Sequence, residues 1–139
     1  MIEQITVFLE NSQGRLTGLC RTLADAGVDM LALTIADTAE YGVVRIVCTD
    51  PEKAAAVLGE AGFRAVRTQV LAVDVAHRPG GLAELLETID GMGLNIEYGY
   101  CFSYKDETAI GVLKIKDALR AKGAIAEAGY KLVTLADLA

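Results

Sequence analysis

The chain has no tryptophan, one histidine and three cysteines, and its aromatic rings number only five tyrosines and three phenylalanines in 139 residues. Each scarcity removes a class of function. With His77 as the sole histidine, a Cys–His or Ser–His–acid relay has one base to draw on, and no residue is spaced along the chain to partner it. Catalysis is therefore not expected. Nor is a metal centre, because Cys20, Cys48 and Cys101 are scattered and lack C-x-x-C spacing. An odd number of cysteines inside apolar patterns suits small buried thiols in a reducing compartment better than disulfides. No apolar run approaches the roughly 18 residues of a membrane span. The opening stretch "MIEQITVFLE" carries an early glutamate and no basic-then-apolar signal region, so a cytoplasmic location is expected.

What is plentiful is apolar surface. At 53% hydrophobic, the chain can bury a sizeable core in one ordinary domain or two very small ones. The net charge of −6 argues against nucleic acid or an anionic membrane as a partner. The "KDE" and "KIKDALRAK" clusters read as solvated turns and helix faces, with Lys114 and Lys116 on the sheet face away from the helices.

The chain also repeats itself. Val7, Gly14, Leu16, Leu19, Thr22 and Gly27 recur 66 residues later as Val73, Gly80, Leu82, Leu85, Thr88 and Gly93. With one residue inserted near position 106, Asp50 falls on Asp117 and "EAGFRAV" on "EAGYKLV". Two copies of one unit follow, residues 1–69 and 70–139. In the first, Ile5, Val7 and Leu9 alternate with polar neighbours as in a half-buried strand. Leu16, Leu19, Cys20 and Leu23 then take helical spacing, and Gly27 supplies the stop. Strands over 28–37 and 42–49 are joined through "DTAEYG". Asp50-Pro51 opens a second helix ended by Gly62, and 63–68 closes the copy. The second copy places Leu82, Leu85, Leu86 and Ile89, then Ala121, Ala124, Ile125 and Ala128, at the same helical positions.

The order βαββαβ is the ferredoxin-like unit of the α+β class. A lone copy is marginal, with open edges and one covered sheet face. Two ferredoxin-like units side by side predict one eight-stranded antiparallel sheet with four helices on one face. The link "TQVLAVDV" has no Gly, Ser or Pro run, so a flexible tether is not expected.

Two loops stand where ligand chemistry is expected, "LENSQGRL" (9–16) and "VAHRPGGL" (75–82), each between first strand and first helix. A helix start offers unpaired N–H groups and positive dipole, a seat for a carboxylate. Gly14 and Gly80 allow close approach to that backbone, and Asn11, His77, Arg15 and Arg78 offer polar groups and charge.

Both halves resemble ACT domains, small regulatory modules that bind amino acids. The resemblance covers essentially the whole chain. It is carried by the "NSQGRL" and "HRPGGL" turns, by "GVDM" and "GLNI" before the second strand, and by the "GF" and "GY" steps near the end of each copy. It implies a ligand-binding place where the loop before the first helix of one domain faces the second-strand start of its neighbour. The loop positions are Asn11, Gln13, Gly14, Arg15 and Leu16, with His77, Pro79, Gly80, Gly81 and Leu82. The strand positions are Asp29, Met30 and Leu31, with Asn95, Ile96 and Glu97. Gln13 replaces the usual proline, while His77 and Asp29 replace the usual asparagines. An aspartate there favours an ammonium and repels a carboxylate, so the Asn11 loop with the Asn95 strand is the expected better site. The resemblance implies a non-catalytic regulator, a homodimer without cofactor, that senses a free amino acid for a target enzyme. The alternative is an interaction subunit without a ligand of its own, like acetolactate synthase small subunits. It would dock through an open sheet face bearing Phe8, Val47 and Val112.

Half of the aromatic residues fall in "NIEYGYCFSYKDE". Tyr98, Tyr100, Phe102 and Tyr104 alternate, so they share one face of a strand. Their counterparts in the first copy are Ala32, Thr34, Ala36 and Thr38, so the fold does not require rings here. The row reads either as a wall for the ligand's bulky or aromatic side chain, with Tyr98 and Tyr100 near the pocket, or as a face for another subunit, with Phe102 and Tyr104 beyond it. Gly99 marks a bulge that could turn the row between faces.

Overall fold

The computed structural model describes residues 1–37, 41–105 and 107–138. Positions 38–40 of the "DTAEYG" connection, with Thr38 as counterpart of Tyr104, and Asp106 of "KDE" lie outside the described residues. The chain forms two compact units, Glu3–Thr68 and Gln69–Ala139 with Met1–Ile2.

In the first unit, β1 (Ile2–Glu10), β2 (Met30–Asp37) and β3 (Tyr41–Cys48) join the opening residues of β4 (Arg64–Ala76) in the order β2-β3-β1-β4. Helix α1 (Arg15–Asp25) buries Leu19 and Leu23, one turn apart on its apolar stripe. It ends at Gly27, whose φ of 73° lets the Val28 N–H turn back to the Leu23 carbonyl at 3.0 Å. Helix α2 (Pro51–Glu60) starts as its sequence predicts, with Pro51 in the first turn and the Asp50 carboxylate accepting from the Lys53 N–H at 3.1 Å. Ala54 and Leu58 of α2 meet Ile5, Val7, Val44 and Ile46 from the sheet in one core. Each fully buried aliphatic side chain of this kind contributes about 1.5–3 kcal/mol.

The second unit repeats the plan with the rest of β4, α3 (Gly81–Gly91), β5 (Ile96–Lys105), β6 (Thr108–Ile115) and α4 (Ala118–Glu127). Leu71, Val73, Leu85, Ile89, Leu113 and Ile125 form its core. A short α5 (Leu135–Leu138) follows, turned by Thr134, whose N–H and hydroxyl both donate to the Asp137 carboxylate at 2.9 and 3.0 Å.

The expected eight strands and four helices are, among the described residues, six strands and five helices. The closing strand expected at 63–68 and the opening strand of the second copy are one continuous β4, because nothing in "TQVLAVDV" turns the chain. The closing strand of the second copy shrinks to a single bridge, Val73 to Leu132. It is held by Asp74 N–H to the Lys131 carbonyl at 2.9 Å and Val133 N–H to the Ala72 carbonyl at 2.8 Å.

Strand register settles where the aromatic row points. Directly paired residues share a face. Gly99 pairs with Leu113, a core residue beneath the helices, so Tyr98, Tyr100 and Phe102 point to the opposite face, paired with Lys114, Val112 and Ile110. A bulge between Ile96 and Tyr98 makes the switch, ahead of Gly99. The rings are half-buried.

The face away from the helices is not the open surface expected. Val47 and Val112 are fully buried, and Phe8 alone of the three stays exposed. Beside Val47 runs a polar ladder, Gln4 Nε2 to Thr6 Oγ1 at 3.0 Å and Thr6 Oγ1 to Thr68 Oγ1 at 2.9 Å. Buried polar groups of this kind stay stable only when paired.

Candidate functional site

The two loops are the same backbone built twice. After β1, the Ser12 N–H bonds the Glu10 carbonyl (2.9 Å) and the Arg15 N–H bonds the Ser12 carbonyl (3.3 Å). Arg78 N–H to Ala76 carbonyl and Gly81 N–H to Arg78 carbonyl, both 3.0 Å, repeat this before α3. Gly14 and Gly80 cap their helices with identical angles, φ 86° and ψ −10°. That left-handed conformation favours glycine, and no side chain among the described residues caps either helix. Both helix starts therefore present backbone N–H groups to whatever enters from the loop side.

The first turns differ. That of α1 holds no acid, whereas that of α3 holds Glu84. Arg78 Nη2 pairs with Glu84 at 2.8 Å, so the charge of Arg78 is already engaged. Arg15 is engaged too. Its guanidinium lies 4.5 Å from the centroid of the Phe63 ring, and its Nε is buried without a hydrogen-bond partner among the described residues. The start of α1 is thus the less acidic of the two and the better seat for a carboxylate.

Four clefts collect seven of the eighteen expected residues. In the first unit, Asn11 and Leu16 line a cleft of about 170 Å³ with Leu9, Glu10, Ser12, Ile35 and Gly42. Leu16 also borders a second, of about 510 Å³, with Cys20 and Met30. In the second unit, Leu82, Ile96 and Tyr100 line about 530 Å³ together with Leu86, Gly99, Cys101 and Leu113. Leu16, Cys20 and Met30 are the repeat counterparts of Leu82, Leu86 and Ile96, so duplication has left matching clefts between first helix and edge strand. His77 lines a fourth cleft, of about 330 Å³, with Ala76, Arg78 and Glu107. Gln13, Gly14, Arg15, Asp29, Leu31, Pro79, Gly80, Gly81, Asn95, Glu97 and Tyr98 lie outside these four clefts.

The strand starts also match between copies. The Asp29 backbone is fixed by Thr49, through Asp29 N–H to Thr49 Oγ1 at 3.2 Å and Thr49 N–H to the Asp29 carbonyl at 3.0 Å. Bulges between Met30 and Ala32 and between Ile96 and Tyr98 place Leu31 and Glu97 at equivalent irregular positions. Asp29, Asn95 and Glu97 are exposed. Glu10, Ser12, Ile35 and Gly42 were not singled out from the sequence. Gly42 reaches the loop through its pairing with Leu9 of β1, and Ile35 through the pairing of β2 with β3.

Among the described residues, no group of three or more His, Cys, Asp or Glu could hold a metal ion, and no helix is long and apolar enough to cross a membrane.

Known proteins place this geometry. No curated protein sequence matches the chain. The crystal structure of protein BT0572 from Bacteroides thetaiotaomicron is similar at 31% identity and a TM-score of 0.93, over 99% of this chain and 94% of that one. The regulatory subunits of aspartate kinase from Thermus thermophilus and Thermus flavus share the fold. The first has 18% identity, a TM-score of 0.62 and coverage of 91% of this chain and 92% of that one. The second has 20% identity, a TM-score of 0.63 and coverage of 89% and 88%. The profile of the family described as "ACT domain pair" matches residues 1–139, in keeping with the duplicated loop, cap and bulge. The chain belongs to the ACT domain pair family.

Proposed function

We propose that this protein, with ACT domains at 1–69 and 70–139, is a non-catalytic regulator that binds a free amino acid and signals its level to a partner enzyme. The observation that carries the proposal is the glycine-capped start of α1 beside Asn11, with no acid in the first turn and no side chain occupying the cap. A ligand carboxylate is received there by backbone N–H groups and the Asn11 amide. Glu10, in the same cleft, supplies the counter-charge for the ammonium, while Leu9, Leu16 and Ile35 face an apolar side chain. Aspartate kinase regulatory subunits from Thermus have the same fold, which supports a regulatory role. A ligand-free interaction subunit loses its expected docking face, since Val47 and Val112 are buried. Signalling needs only a modest coupling, typically about 1–3 kcal/mol between two sites.

The test is the melting temperature measured against each of the twenty amino acids. A specific ligand raises it with the logarithm of its excess over the dissociation constant, and Asn11→Ala removes that response while leaving the unliganded melting temperature near wild type. A flat panel, or an undiminished response in Asn11→Ala, overturns the proposal. The expected homodimer is checked by light scattering on the same samples.

A further inference from the structure

On its face away from α3 and α4, the second unit carries a cleft of about 270 Å³. Asp74 of β4, Tyr104 and Lys105 at the end of β5, and Lys131 and Asp137 of the closing segment line it, with Ile110 as an apolar floor. Thr108 and Val133 complete the wall. None of these residues belongs to the loops or helix starts discussed above.

The charges are the informative part. Two acids and two lysines sum to zero, but they are not paired off among themselves. Asp137 is committed to the Thr134 N–H and hydroxyl, which hold its carboxyl below the usual range, and Lys131 and Lys105 act on it in the same direction. Both lysines therefore stand within electrostatic reach of one rim of the cleft. Lys105 rests its ammonium 4.9 Å from the Tyr104 ring centroid, and that ring is fixed by its hydroxyl donating to the Asp137 carbonyl. Asp74 is different. Its backbone N–H is used by Lys131, yet among the described residues no salt bridge or hydrogen bond engages its carboxylate. It is half-buried and paired across the strands with Ile110, which is 1% exposed. Its counterpart in the first copy is Phe8, so the fold has no need of an acid there.

A half-buried carboxylate on an apolar floor attracts a cation, and the two lysines lining the same cleft attract an anion. A simple anion would be repelled by Asp74, and a simple cation by the lysines. We propose that this cleft is a second binding site whose ligand is a small zwitterion of the amino-acid type, with its ammonium on Asp74 and its carboxylate between Lys105 and Lys131. The site lies wholly within the second unit and does not depend on the Asn11 loop.

The experiment is a backbone-amide NMR titration of the full chain with each of the twenty amino acids, and with the amide and N-acetyl forms of any responder. Shifts are expected at Asp74, Thr108, Lys131 and Val133, and both half-charged forms should lose them. Asp74→Asn, which keeps the shape and so the fold, should weaken that binding by about tenfold or more, as should Lys131→Ala. Asn11→Ala should leave these shifts in place. Shifts confined to residues 10–17 would overturn the second site and leave the loop site standing. Shifts confined to the cleft would do the reverse, and their absence everywhere would overturn both. An N-acetyl form that binds as well as the free amino acid would also overturn the zwitterion assignment.

Discussion

Gly81 sits against the Ala76 backbone so closely that a Cβ at Gly81 would fall 2.1 Å from the Ala76 carbonyl oxygen and 3.1 Å from its carbonyl carbon. The repeat counterpart of Gly81 is Arg15, which carries a full side chain at the start of α1. The two loops share hydrogen bonds and glycine angles, yet α3 starts tight against its incoming strand and α1 does not. Room for a side chain at this position is therefore available in the first unit and closed in the second.

Gly81→Ala should accordingly be costly for so small a change. The obstacle is a backbone oxygen rather than the end of a flexible side chain, so the loop itself must shift. Overpacking of this kind costs typically about 1–3 kcal/mol, and the upper part of that range is expected here. The urea midpoint should fall with an unchanged slope. A midpoint equal to wild type would mean that the loop in solution is looser than described.

Asp50 and Asp117 occupy equivalent positions before α2 and α4, but only Asp50 accepts a backbone N–H through its side chain. Asp50→Ala should cost ~1 kcal/mol, the usual loss for a working cap, and Asp117→Ala distinctly less. Equal losses in paired urea curves would show that the cap geometry does not distinguish the two helices.

The duplicated elements were legible because apolar spacing, the aspartates before the second helix and the glycine stops agree in both copies. The strand count was not, since the repeat boundary suggested a break inside Arg64–Ala76 where no turn residue exists to make one. Alternation put Tyr98, Tyr100 and Phe102 on one face, but only the bulge after Ile96 decides which face. A slip of one residue inverts every side chain, and the glycine signal at Gly99 stands past the bulge itself and leaves the face open. At the site, Asn11 and Leu16 were readable from the loop motif. The stacking of Arg15 on Phe63 was not, because Phe63 arrives from beyond α2 and sequence neighbours say nothing of it.

The thiols should differ in reactivity. Cys48 is fully buried, and burial pushes its thiol up, while Cys101 is exposed as a residue yet partial burial of its thiol pushes it up as well. The thiolate is the nucleophile, so at neutral pH Cys101 should alkylate more slowly than a free thiol and Cys48 scarcely at all until the chain unfolds. Peptide mapping after timed iodoacetamide exposure measures both rates. Native labelling of Cys48 at the rate seen in denaturant would contradict its burial.

Acid should destabilise the protein partly through Glu3. Arg67 grips its carboxylate with both Nε and Nη2, the latter at 2.7 Å, and these bonds hold the Glu3 carboxyl below its ordinary value. A group depressed on folding binds fewer protons folded than unfolded. Its contribution is therefore complete above the unfolded glutamate value of about 4.3 and disappears as pH falls through the lower folded value. Both partners are partly exposed, so the effect is modest and screened by salt. Glu3→Gln keeps the shape without the charge, and its urea midpoint should fall less steeply below about pH 4.3 than that of wild type. Asp137, held low by Thr134, has the same sign, so the variant should retain part of the acid loss. Curves that stay parallel through the acid range would remove Glu3 from the account and leave the loss to other carboxylates.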